Sequence, residues 1–68
     1  MDLVVLLNGK EIQFPLNTTI YELLDSIKCT NKRIAVEHNG KTIHKNEYNN
    51  IILQNNDLIE VVTAVGGG

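Results

Sequence analysis

The amino-acid sequence predicts an α+β fold, in which a mixed sheet of about four to five strands packs against one main helix. Three observations predict it: two Asn-Gly pairs that interrupt runs of strand-forming residues, one capped amphipathic segment between them, and an apolar final run. A hairpin followed by a helix that covers the sheet forms two layers around a single core. We predict one domain over residues 1–64 and a flexible, glycine-rich tail over residues 65–68.

The first hairpin is predicted from its turn. Residues 3–7 are a continuous run of apolar strand formers, and Asn8-Gly9 follows directly. Asn-Gly favours a type I′ turn, which needs a positive φ at both central positions and joins two antiparallel strands. After the turn, alternate residues are apolar and indicate one buried face: Ile12, Phe14 and Leu16. Because Pro15 has no N–H to donate, this second strand is predicted at an edge of the sheet.

The main helix is predicted to begin after Thr19. Thr19 and Glu22 have the spacing of a capping box, in which the threonine caps the helix and the glutamate reaches back to it. Apolar residues then recur at helical spacing and form one stripe: Ile20, Leu23, Leu24 and Ile27. The pattern stops after Lys28, so we expect the helix to end near that residue.

The remainder of the chain is predicted to form short strands and turns. Six short segments follow the helix: a third strand from residue 34, a tight turn at Asn39-Gly40, a return strand over 41–44, a loop or one helical turn over 46–50, a brief apolar run over 51–53 and a turn over 55–57. Residues 58–63 form the last strand. It is apolar enough to be central, and we predict that it runs parallel to the first strand.

Composition and charge exclude several classes of partner. The chain has 68 residues, of which 43% are apolar, and a net charge of −2. Its basic residues form no stripe, so nucleic acid is not predicted as a partner. No apolar run is long enough to span a bilayer, so no membrane partner is predicted. The opening Met1-Asp2-Leu3 lacks the features of a secretory signal, and a single cysteine cannot form an internal disulfide, so we predict a cytoplasmic protein.

No metal site is predicted. A structural zinc site needs about four ligands, and the available set is poor, namely Cys29 with two separated histidines, His38 and His44. The histidines are interpreted as surface residues near turns. Cys29 lies at the predicted C-terminal end of the helix, where the negative end of the helix dipole disfavours a thiolate. A structural role is therefore favoured for Cys29 over a reactive one.

The tail Val65-Gly66-Gly67-Gly68 is the candidate reactive site. Its glycines have no side chains to bury and lose the most entropy on ordering, so we predict that the tail is mobile. Without Cβ atoms it is thin enough to enter a narrow channel of another protein. An α-carboxyl group is ionised at neutral pH, and a carboxylate can attack a phosphorus atom of ATP. The alternative is a frayed terminus or a remnant of cloning.

Alternation in the first and last strands also predicts an outer apolar patch. Four apolar side chains should lie on the sheet face that points away from the core: Val4, Leu6, Leu58 and Val62. If the two strands are neighbours, these side chains form an exposed patch beside the tail. Such patches often mark partner surfaces, and a covering loop or a homodimer contact is the alternative.

Four stretches of the chain carry a resemblance to a known family. They are residues 7–10, 19–24, 35–40 and 57–68, with the sequences LNGK, TIYELL, AVEHNG and DLIEVVTAVGGG. On these stretches the chain resembles the ubiquitin-like β-grasp proteins, and more narrowly the ThiS sulfur carriers of the ThiS/MoaD group. Members often have Gly-Asp before the final strand, where this chain has Asn56-Asp57. Since Asn tolerates the left-handed conformation, the turn is expected to be kept.

The resemblance implies a ubiquitin-like β-grasp fold and a carrier that is not itself an enzyme. It implies that a ThiF-like adenylyltransferase activates Gly68 with ATP and Mg²⁺, so that this chain binds no cofactor of its own. A persulfide sulfur donor would then convert the adenylate to a Gly68 thiocarboxylate. A ThiG-like thiazole synthase would take that sulfur for the thiazole ring of thiamine. Val65, Gly66 and Gly67 would be recognised by these partners as the tail.

Three other functions remain open from the sequence. A MoaD-like carrier for molybdopterin synthesis is the closest rival, although such chains tend to have proline before Gly-Gly, and Thr63-Ala64-Val65 has none. A ubiquitin-like modifier would form isopeptide bonds with lysines in place of a thiocarboxylate. A plain interaction module would leave the tail inert.

Overall fold

The computed structural model describes residues 1–30 and 33–63, and it has the predicted α+β architecture. Its elements are, in chain order, β1 (Asp2–Leu7), β2 (Lys10–Pro15), α1 (Ile20–Ser26), β3 (Ile34–His38), β4 (Lys41–Ile43), a 3₁₀ turn (Lys45–Glu47) and β5 (Leu58–Thr63). The five strands form one sheet in the order β2-β1-β5-β3-β4. Among the described residues, no helix has the length and apolar character needed to cross a membrane.

β5 lies at the centre of the sheet. On one side it runs parallel to β1, with Leu58 opposite Leu6. On the other side it runs antiparallel to β3, from Thr63 opposite Ile34 to Ile59 opposite His38. Both predictions about the last strand are therefore confirmed. β2 is an edge strand, which is where the missing N–H of a proline costs no ladder hydrogen bond.

The core lies between α1 and one face of the sheet. Alternate residues of β1 and β5 are buried, as their period of two requires: Leu3, Val5, Leu7, Ile59 and Val61. The helix buries Ile20, Leu23 and Leu24 against them, and Ile27 packs on the cluster from a half-buried position. Burying one aliphatic side chain of this size contributes about 1.5–3 kcal/mol. The predicted helical stripe is therefore the main contact between the two layers.

The N–H groups at the start of α1, which have no partner within the helix, are all hydrogen-bonded to other groups. Thr19 Oγ1 accepts the N–H of Glu22 at 3.1 Å, and Glu22 Oε1 accepts the N–H of Thr19 at 2.9 Å, which is the predicted capping box. The N–H groups of Ile20 and Tyr21 donate to the carbonyls of Ile51 and Tyr48, both at 3.0 Å. Since such groups lack partners inside a helix, the segment after β4 completes the start of the helix.

The helix ends two residues before the predicted Lys28. Lys28 has a φ of 60°, and the N–H groups of Lys28 and Cys29 donate to the carbonyls of Asp25 and Leu24. This pair of bonds is a Schellman motif, in which a left-handed residue reverses the chain and satisfies the last carbonyls. Glycine usually occupies this position, so the motif was not evident from the sequence.

Both predicted Asn-Gly turns are present, and their asparagine side chains hold β5 from either side. Asn8 and Asn39 have φ values of 51° and 54°. Asn8 Oδ1 accepts the N–H of Val61 at 2.8 Å, and Asn8 Nδ2 donates to the Val61 carbonyl at 3.1 Å. Asn39 Oδ1 accepts the N–H of Leu58 at 2.8 Å. Each turn residue thus continues a ladder beyond the end of its own strand.

We expect Asn8→Ala to lower the free energy of unfolding by about 2–4 kcal/mol. The change removes two hydrogen bonds, worth about 0.5–1.5 kcal/mol each, and places alanine at a positive φ, which costs about 1 kcal/mol. Asn17→Ala is the matched control, since Asn17 also has a positive φ, of 71°, but makes no side-chain hydrogen bond within the described residues. Urea unfolding followed by circular dichroism measures both losses. Equal losses in the two variants would contradict the role given to the Asn8 side chain.

Candidate functional site

The predicted tail begins just beyond β5. Val65, Gly66, Gly67 and Gly68 lie outside the described residues, so their predicted roles stay predictions. Thr63 is the last described residue and pairs with Ile34, the first residue of β3. The central strand therefore delivers the chain to one end of the sheet, and the surfaces around Ile34 and Thr63 adjoin the root of the tail.

The four residues of the predicted outer patch do lie on the outer face. Leu58 and Val62 are 50% and 63% exposed, whereas Val4 and Leu6 are half-buried. Leu6 and Leu58 are neighbours across the β1–β5 ladder, and Val4 lies two residues before Leu6 on the same face. Val62 is separated from Leu58 by Glu60. Three members thus form one cluster, and Val62 stands apart from it, closer to the root of the tail.

An acidic pair lies on the outer face between the apolar cluster and Val62. Glu37 and Glu60 are directly opposite each other across the β3–β5 ladder, and both are exposed. Like charges at such positions repel each other, so the pair lowers the stability of the sheet. Sequence reasoning placed Glu60 on this face but missed Glu37, because the register between β3 and β5 decides that they meet.

Asp57 connects three separate segments at the start of β5. It is 6% exposed, and its Oδ2 accepts the backbone N–H of Gln54 and lies at the same distance, 2.8 Å, from His38 Nε2. Its Oδ1 accepts Asn39 Nδ2 at 3.1 Å. Burial by itself would raise the pKa of Asp57, but the hydrogen bonds from Gln54, His38 and Asn39 outweigh it and hold that pKa below its usual value.

The cysteine and the two histidines that the sequence singled out lie in local structural contacts. Cys29 is buried in the core, as its predicted structural role requires. His44 is exposed and precedes the 3₁₀ turn, where its backbone N–H donates to Glu47 Oε2 at 2.8 Å. His38 is not a plain surface residue, because it pairs with Asp57. Within residues 1–30 and 33–63, no group of three or more His, Cys, Asp or Glu side chains could hold a metal ion.

Comparison with known proteins identifies the family. The family model of the ThiS family matches residues 4–68. The chain belongs to the ThiS family. It is 43% identical over 63 residues to the sulfur carrier protein ThiS of Bacillus subtilis (strain 168), a match that covers 91% of this chain and 96% of that protein.

A solved structure and two longer proteins extend the comparison. The crystal structure of the thiamine biosynthesis protein ThiS from Geobacter metallireducens has a TM-score of 0.80 at 23% identity, covering 97% of this chain and 100% of that one. The fold is therefore the ubiquitin-like β-grasp of this ThiS. The chain is also 30% and 36% identical to thiazole synthases of Paramagnetospirillum magneticum and Magnetococcus marinus, spanning 20% and 19% of their lengths.

We expect acid to destabilise this ThiS-family domain partly through Asp57. Because the folded-state pKa of Asp57 is lowered, its carboxylate contributes stability at pH values above its unfolded-state pKa, about 3.9. That contribution is lost as the pH falls from there through the lower folded-state pKa. The free energy of unfolding, measured in urea at pH values from 7 down to the acid limit, should fall less steeply for Asp57→Asn than for the wild type.

The control for this pH series is Asp25→Asn, which removes an exposed carboxylate outside the network. Asp57→Asn should also lower the free energy of unfolding at neutral pH, by about 1–2 kcal/mol, because an amide cannot accept all three hydrogen bonds. If Asp57→Asn and Asp25→Asn have the same pH slope, the linkage assigned to Asp57 is wrong.

Proposed function

We propose that this chain is a sulfur carrier of thiamine biosynthesis that carries sulfur as a thiocarboxylate on Gly68. The observation that carries the proposal is the ThiS-family match, which runs to residue 68 and so includes the glycine tail. The 43% identity to the Bacillus subtilis sulfur carrier, over most of both chains, supports it. The chain is then a co-substrate of partner enzymes, which supply the catalytic residues.

The proposed cycle starts at the carboxylate of Gly68. On a ThiF-like adenylyltransferase, one carboxylate oxygen attacks the α-phosphorus of ATP and pyrophosphate leaves, with Mg²⁺ held by that enzyme. The terminal sulfur of a cysteine persulfide attacks the acyl carbon and displaces AMP, which leaves an acyl disulfide. A thiol then reduces the sulfur–sulfur bond and releases the thiocarboxylate. ATP and Mg²⁺ are used by the partner, and this chain needs no resident cofactor.

A thiazole synthase is the proposed acceptor of the sulfur. Two proteins named thiazole synthase contain a stretch similar to nearly all of this chain within about a fifth of their length. Placing two units in one polypeptide raises their effective concentration, so a carrier-like stretch within a synthase supports a direct transfer between the two. The need for ATP and a thiol reductant agrees with a cytoplasmic location for the cycle.

The tail is suited to enter a partner because of its length and its missing side chains. Residues 64–68 can reach roughly 17 Å beyond Thr63, at about 3.3–3.6 Å per extended residue. The three terminal glycines have no Cβ atoms, so a channel lined by backbone and small side chains can admit them. Val65 is the last residue of the tail with a side chain, and Val65, Gly66 and Gly67 are the proposed recognition residues.

The outer face is the proposed surface on which the adenylyltransferase binds. Val4, Leu6 and Leu58 provide an apolar cluster, and Val62 adds an exposed apolar side chain near the root of the tail. The acidic pair of Glu37 and Glu60 between them would favour a partner surface that combines apolar and basic groups.

Removal of Gly68 should abolish sulfur loading without changing the fold. The purified chain, incubated with its adenylyltransferase, ATP and a persulfide donor, should gain the mass that corresponds to exchange of one oxygen for one sulfur. The chain that lacks Gly68 should keep its unmodified mass, while the same incubation of Asn17→Ala, changed far from the tail in sequence, should show loading. Mass ladders of conjugates to other proteins would instead indicate a ubiquitin-like modifier. If the chain that lacks Gly68 kept its biological activity, both functions that use the tail would be excluded, and only a plain interaction module would remain.

A charge at Val62 should weaken binding to the adenylyltransferase. We expect Val62→Glu to raise the dissociation constant about tenfold, because a buried contact would then have to desolvate a carboxylate beside Glu60. Val62→Thr is the matched control, since it keeps the β-branched shape without adding charge. Isothermal titration measures the affinities, and thermal unfolding checks that the exposed substitution leaves the domain folded. Unchanged affinity in Val62→Glu would exclude this residue from the interface.

A further inference from the structure

A second surface at the root of the tail has not been used by the proposed function. A cavity of about 200 Å³ is lined by Thr30, Arg33, Ile34, Lys45 and Tyr48. It brings together the chain that follows the helix, the start of β3 and the 3₁₀ turn. Two of the lining side chains are cationic and two carry hydroxyl groups, so the cavity has the composition of a site for an oxyanion.

Neither cationic residue of this cavity forms an ion pair with another residue in the described part of the chain. The one ion pair found in residues 1–30 and 33–63 joins His38 to Asp57, at the start of β5. Glu47 lies two residues from Lys45, but its Oε2 accepts the backbone N–H of His44 at 2.8 Å. Arg33 and Lys45 are both exposed and so can turn toward an incoming anion. A local positive site thus exists on a protein whose net charge is −2.

Tyr48 supplies a fixed wall and a hydroxyl group to the same cavity. The residue is only 8% exposed, and its ring belongs to the hydrophobic core. Its hydroxyl makes no hydrogen bond to another described residue, and no buried polar atom without a partner is found among those residues. The described residues therefore do not enclose an unpartnered Tyr48 hydroxyl. Burial raises the pKa of Tyr48, so its hydroxyl stays protonated as a hydrogen-bond donor at the cavity that the residue lines.

The position of the cavity decides what kind of anion it meets. Ile34, one of its walls, pairs with Thr63, after which the tail begins. A partner that takes an extended tail holds Gly68 roughly 17 Å from Thr63, so the cavity does not touch the reacting carboxylate of an engaged tail. The same partner must cover the end of the domain from which the tail leaves. The surface of that partner is then the source of the anion.

We propose that this cavity, built on Arg33, Lys45 and Tyr48, receives an acidic side chain of the adenylyltransferase that takes up the tail. The inference rests on the proposed function, because it needs a partner that engages Gly68. A carboxylate can accept from the Arg33 guanidinium in two places and from Lys45 and Tyr48 at its other lone pairs. Contact at the root of the tail aligns the domain with the entrance of the partner's channel and adds an attraction that salt weakens.

The test measures how the adenylyltransferase uses the chain as a substrate. ATP–pyrophosphate exchange that depends on the chain gives its KM and kcat for Arg33→Gln, Lys45→Gln, the double variant and Tyr48→Phe. Lys10→Gln, which removes an exposed charge from β2, is the matched control. We expect each single charge removal to raise KM up to about fivefold, the double variant to raise it further, and kcat to stay within about twofold. The differences should shrink when the salt concentration is raised.

Two results would overturn the proposal while leaving the sulfur-carrier function intact. One is that the wild type supports normal exchange, while the double variant has the same KM as Lys10→Gln at low salt. The other is saturable binding of inorganic phosphate below the millimolar range, seen by NMR titration and lost in Arg33→Gln, which would make the cavity a site for a free oxyanion. If the wild type supports no exchange at all, the proposed function fails together with this inference, and that outcome is recognised before any variant is made.

Discussion

The structure depends on the double pairing of β5. This strand is bonded in parallel to β1 and antiparallel to β3, so it connects the two hairpins into one sheet. Its ladder to β1 is short, and the side chain of Asn8 extends that ladder by two bonds to Val61. On the other side of β5, the Asn39 side chain bonds to Asp57 and to the N–H of Leu58. These bonds join the β3–β4 turn to the start of β5. Without the Asn8 bonds, β1 would pair with β5 only at Leu58 and Ile59.

The same pairing places every surface that the proposed function needs. Because β5 is central, its last residue, Thr63, lies at the middle of one end of the sheet, opposite Ile34. Leu58 and Val62 belong to β5, the strand that directly precedes the tail in the chain, so part of the outer apolar surface lies close to the tail in sequence. The cationic cavity adjoins the same end from the side of the 3₁₀ turn. A partner that takes the tail can therefore contact two separate surfaces of the domain without any change in its fold.

The proposed carrier function needs little chemistry from the side chains of this domain. The proposed reactive group is a backbone carboxylate, which needs no neighbouring base or metal in the chain itself. The polar clusters that the domain does contain, around Asp57 and around Asn8, are satisfied hydrogen-bond networks that hold strands together. A small domain buries a limited share of its surface, so such networks and a capped helix contribute much of its specificity for one fold.

Local chemistry in the sequence by itself determined the elements of this protein. The two Asn-Gly pairs, the Thr19–Glu22 capping box and the alternation in residues 58–63 each depend on neighbouring residues only, and each was found as predicted. The chemistry proposed for the tail was also read from the sequence. Only the tertiary structure decided the pairing of His38 with Asp57, the burial of Tyr48 within a polar segment and the cationic cavity. These depend on the register of β3 with β5 and on the packing of the segment after β4, which join residues distant in sequence.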